Sequence, residues 1–104
     1  MDRRKFSRDL SENRIELIEQ GTFDKIIFLE ELDLGLNRIE LLQAGLFKNL
    51  NDLGTVSLSH NAIQGLPEDV FRNLHLLKEL ELAGNKFTTV PSRSFRFIKG
   101  LDTL

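Results

Sequence analysis

Residues 32–39 read LDLGLNRI, and the phrase returns as VSLSHNAI at 56–63 and LELAGNKF at 80–87. Each copy sets an asparagine among side chains that favour burial. A buried amide left without partners costs about 1–3 kcal/mol, so Asn37 needs a defined set of hydrogen bonds. Working outward, Asn13, Asn37, Asn61 and Asn85 are separated by 24 residues each time. Phe23, Phe47, Phe71 and Phe95 keep the same interval, as do Leu10, Leu34, Leu58 and Leu82, and Ile15, Ile39, Ile63 and Phe87. The chain therefore divides into a flank at 1–4, four coils at 5–28, 29–52, 53–76 and 77–100, and the opening of a fifth at 101–104. Fixed self-similarity at this length is the mark of a solenoid.

The L-x-L unit of each coil alternates inward and outward, the two-residue period of a strand. Stacked coils set LDL, VSL and LEL side by side as a parallel sheet. Pro67 and Pro91 fall on the return path, where a missing N–H breaks no ladder. Each coil has only an edge to bury and depends on its neighbours. An Asn amide offers two donors and an acceptor, enough to bond its own turn and the next coil. Asn13, Asn37, Asn61 and Asn85 are thus expected to form a structural ladder.

The stretches LEELDLGLNRIELLQAGLFKNLND, LGTVSLSHNAIQGLPEDVFRNLHL and LKELELAGNKFTTVPSRSFRFIKG share LxxLxLxxNx(I/F)xx(L/V)xxxxFxx(L/I)xx without a gap. This resembles the leucine-rich repeat proteins with 24-residue repeats common in animal extracellular proteins, such as Toll-like receptor ectodomains. The resemblance implies an α/β-type solenoid, with a curved parallel sheet on the concave side and short turns or 3₁₀ segments on the convex side. It also implies a non-enzymatic module that binds a protein through the concave face. It suggests an extracellular or cell-surface location, as part of a longer or processed chain, with a cytoplasmic scaffold as the alternative. The first coil departs from the pattern: Lys5 and Arg8 stand where leucines belong, which leaves its strand open and suggests a polar cap or a degenerate repeat.

Composition narrows the chemistry. The 104 residues carry a net charge of −2, so nothing global points to nucleic acid. No apolar run reaches the roughly 18 residues of a membrane span, and the charged start lacks the core of a secretory signal. The absence of cysteine removes disulfides, thiolate metal sites and thiol nucleophiles, together with the cysteine-rich caps of extracellular relatives. His60 and His75 show no metal-ligand spacing, and no phosphate loop or hydrolase motif occurs, so neither cofactor nor catalysis is expected. The basic, aromatic SRSFRFIKG spends Phe95 and Ile98 on the core, which argues against a nucleic-acid surface. At the C-terminus LDTL places two core leucines and stops. This suggests a fragment, or self-association through Leu101 and Leu104, with Leu80, Leu82, Val90 and Phe95 poorly covered.

Binding is expected on the outward strand positions and the residue just beyond them. These sixteen positions hold six acids (Asp9, Glu12, Glu31, Asp33, Glu79 and Glu81) and neither Lys nor Arg. The candidate contacts are Glu31, Asp33, Leu36, Ser57, His60, Glu79 and Glu81, facing a protein with a basic surface. Like charges on strands about 4.8 Å apart repel by only ~1 kcal/mol in water, so an acidic face also persists without a partner.

Overall fold

The computed structural model describes residues 6–96 and 98. Four three-residue strands, β1 (Ser7–Asp9), β2 (Glu31–Asp33), β3 (Thr55–Ser57) and β4 (Glu79–Glu81), form one parallel sheet in sequence order. Ser7 pairs with Glu31, Glu31 with Thr55 and Thr55 with Glu79, so every pairing advances by one repeat with no offset. The strands line the concave side. The chain returns through turns and a 3₁₀ helix at Ser92–Phe95, with no α-helix among the described residues.

Alternation decides which side of each strand is buried. Leu32, Val56 and Leu80 point inward, and Leu34 and Leu58 follow them into the core. Leu29, Leu53 and Leu77 close the core from below, while Ile39, Ile63 and Leu42 line its far wall. Fully burying such a side chain is worth about 1.5–3 kcal/mol, which is how coils too thin to fold singly hold together. Beneath the return path the rings of Phe23, Phe47, Phe71 and Phe95 stack in one column, with centroids 6.1, 6.4 and 6.4 Å apart.

The asparagines close the strand ends. Asn37 Nδ2 donates to the carbonyls of Leu10 (2.9 Å), Leu34 (3.0 Å) and Gly35 (3.1 Å). Its Oδ1 accepts from the Ile15 amide at 3.1 Å. Asn61 repeats this with Leu34, Leu58, Ser59 and the Ile39 amide. Asn85 bonds Leu58, Leu82 and the Ile63 amide. Asn13, in the first coil, is exposed and, among the described residues, donates to the carbonyls of Leu10 and Ser11 of its own turn.

Two departures from the sequence reading have physical causes. The first strand forms despite Arg8, because pairing is a backbone matter: Leu10 N–H donates to Asp33 O at 2.8 Å and Glu30 N–H to Phe6 O at 2.7 Å. Leu80, expected to lie near-bare at the C-terminal end, is 0% exposed. It pairs with Val56 in β3 and sits inside its own coil. Val90 is the uncovered residue, 74% exposed, while Leu82 and Phe95 are partly buried. Leu101 and Leu104 lie outside the described residues.

Candidate functional site on the concave face

The four strands shape a shallow depression of about 350 Å³ lined by Ser7, Asp9, Glu31, Asp33, Thr55, Ser57, Glu79 and Glu81, with Leu32 at its floor. The sheet thus brings Glu31, Asp33, Ser57, Glu79 and Glu81 together. Arg8 lines it too. Counting outward positions misses this cation, because Arg8 occupies an inward slot. With its side chain exposed on the first strand, it joins the rim instead.

These residues are not equally available. Glu79 and Glu81 are exposed, Glu31 and Asp33 half-buried, and Ser57 is only 9% exposed. The carboxylate of Asp33 accepts from the Gly35 amide at 2.9 Å, and that of Asp9 accepts from the Ser11 amide at 3.0 Å and from the Ser11 hydroxyl. Ser57 shares a hydrogen bond of 3.1 Å with Ser59. Asp9, Asp33 and Ser57 therefore fasten the turn two residues on, an Asx-type closure. The two bonds from Ser11, hydroxyl first and amide second, hold the Asp9 carboxyl below its usual range, against a small opposing effect of burial.

Just past the strands, Glu12, Leu36, His60 and Gly84 all adopt left-handed backbone, with φ of 56°, 56°, 55° and 75°. Bonds between coils impose it: Glu12 N–H donates to Gly35 O (3.1 Å), Leu36 N–H to Ser59 O (2.9 Å) and His60 N–H to Ala83 O (2.8 Å). Only glycine accepts this conformation freely; the others bear a cost on the order of 1 kcal/mol. Gly84 has a second reason to lack a side chain, since a Cβ there would fall 2.2 Å from His60 Nδ1. The imidazole lies over Gly84. Leu36 stands 51% exposed in the turn that follows β2, three residues beyond Asp33 and outside the residues that line the depression.

Elsewhere, an apolar hollow of about 430 Å³ at the C-terminal end is lined by Leu82, Phe87, Thr88, Thr89, Val90, Pro91 and Phe95. Arg93 pairs with Glu68 at 3.0 Å, which spends part of the basic character of its stretch. Among the described residues no group of three or more His, Cys, Asp or Glu is placed to hold a metal ion, and no helix is long and apolar enough to cross a membrane.

A parallel sheet advancing one strand per 24 residues, an asparagine ladder and a phenylalanine column together define a leucine-rich solenoid. The chain matches the leucine rich repeat family over residues 9–63 and again over 51–104, and it belongs to that family. Among solved structures it is similar to the leucine-rich repeat domain of APL1B, with 29% identity and a TM-score of 0.72 over 75% of this chain and 24% of that one. It is also similar to TLR13 in its complex with ssRNA13, with 30% identity and a TM-score of 0.86 over 92% of this chain and 14% of that one. The chain thus spans less than a quarter of either neighbour's length. No curated protein matches it. Leucine-rich repeat domains generally mediate protein–protein recognition and are typically non-enzymatic.

Proposed function

We propose that this chain is a non-enzymatic recognition module that binds a protein with a basic surface through its acidic concave face, in an extracellular or cell-surface setting. The observation that carries this reading is the depression across all four strands, which Asp9, Glu31, Asp33, Glu79 and Glu81 line together with one cation, Arg8, at its rim. A net charge of −2 spread evenly would not produce such a field; segregation does. The same field disfavours a nucleic acid there, since phosphates and carboxylates repel. Glu79 and Glu81 are the better charges to test, because Asp33 also fastens Gly35.

The test is selection of short random peptides on the immobilised chain, repeated on a Glu79→Lys/Glu81→Lys variant. Peptides rich in Lys and Arg that are lost on the variant, and at raised salt, support the reading. Enrichment of acidic peptides, or binding indifferent to the variant, overturns it.

A second reading rests on the apolar hollow at the C-terminal end. Here the chain serves as a structural piece or intracellular scaffold, whose end drives association with Leu101 and Leu104 taking part. Leu101→Lys/Leu104→Lys would then abolish self-association seen by sedimentation and leave peptide binding intact.

A further inference from the structure

Leu36 is unfavourable in two ways at once. Its backbone is left-handed at φ 56°, where leucine gains nothing over glycine, and its side chain is 51% exposed rather than packed. Leu17 and Leu41 are comparably exposed at 58% and 57%, yet neither has positive φ, so exposure alone explains them. In the slot that Leu36 fills, the other coils carry Glu12, His60 and Gly84. Glycine is therefore tolerated there by this very fold.

The surroundings define what would meet that leucine. Glu12 and His60 stand one repeat away on either side, and Asp33 lies at the end of the strand leading into the turn. Asp33 shares the depression with Glu31, Glu79 and Glu81. Leu36 lies just past that acidic lining, and an apolar tip beside an acidic face is complementary to an apolar side chain flanked by lysines or arginines. Resting on the recognition reading above, we infer that Leu36 is the apolar anchor of the concave site, and that the partner presents a basic segment with an apolar side chain at its centre. The carboxylates steer and orient the segment; Leu36 discriminates among basic segments by what they place against it.

The inference separates binding from stability. A residue kept for packing loses both when removed, whereas Leu36→Gly should keep or raise the melting temperature by relieving the left-handed strain, and weaken binding. The probes are two blocked synthetic helices, one of leucine and lysine on an amphipathic pattern and one with alanine in place of leucine. Both are measured by calorimetry below the concentration at which they self-associate. The unmodified chain should prefer the leucine helix about tenfold. Leu36→Gly, and independently Leu36→Asn, should reduce that preference to near onefold while still binding both helices weakly.

A preference that survives both substitutions overturns the inference and leaves the acidic-face reading standing. A clear fall in melting temperature for both variants also overturns it, because Leu36 would then be a packing residue. If Glu79→Lys/Glu81→Lys leaves the binding of both helices unchanged, the acidic-face reading itself fails. Failure of the unmodified chain to bind either helix overturns both.

Discussion

Asn61 makes four hydrogen bonds at 8% exposure, three donated to carbonyls of two coils and one accepted from Ile39 N–H. Asn61→Leu would strand those buried groups and should destabilise the chain by about 2–4 kcal/mol in denaturant unfolding. Asn13→Ala, at an exposed site with two local bonds, should cost under about 1 kcal/mol. At Gly84, alanine meets His60 Nδ1 and keeps a positive φ, so Gly84→Ala should lower stability by about 1–2 kcal/mol. His60→Ala should restore part of that loss, and a double-mutant cycle would read the coupling. Asp9 should titrate by NMR below the usual aspartate range, and Ser11→Ala should move it back up. Because its folded pKa is depressed, any stability it contributes is present above the unfolded value and fades as pH falls through the folded one. Sequence alone locates these residues by period. It does not show that Asp33 and Ser57 are partly committed to their own turns, since that depends on where a side chain swings after the strand ends.

At the scale of a strand, β1 is instructive. The period places Arg8 where Leu32 and Val56 follow in register, and a leucine rule would discard the strand. The ladder forms nonetheless, because backbone groups of β2 supply its bonds whatever side chain projects between them. A charge in an inward slot of a terminal strand is a recognised way to guard an open edge. Arg8→Leu should therefore leave circular dichroism unchanged while raising self-association in sedimentation velocity. It should also make the concave face more acidic, since Arg8 lines the depression. The alternation of L-x-L was legible in the sequence; the rim position of Arg8 was not, since period assigns slots and does not show which way an exposed side chain turns.

Across the whole molecule, stability belongs to neighbours rather than to a centre. Each coil contacts the one before and the one after, so protection from hydrogen exchange should peak around Leu34 and Leu58, which are 0% exposed, and fall toward Val90. Phe71→Ala should be among the costliest single changes, about 3–5 kcal/mol, because its ring is stacked on both Phe47 and Phe95. The solenoid was legible from four recurring positions, because a repeat that cannot bury its edge alone has to stack. The unequal exposure of the candidate contacts was less so, since accessibility depends on the turns beyond the strands.

The register carries a consequence for how such a surface changes. Because each strand meets its neighbour 24 residues on with no offset, the inner face is written in lines of fixed length. An in-frame duplication of one line lengthens the face by about 4.8 Å and leaves every other line readable. An insertion of another length has to bulge out of a return turn, or it carries the asparagines and phenylalanines out of line with their neighbours. The molecule is thus free to rewrite its outward letters one at a time or to copy whole lines, while edits of other lengths are confined to the turns of the return path.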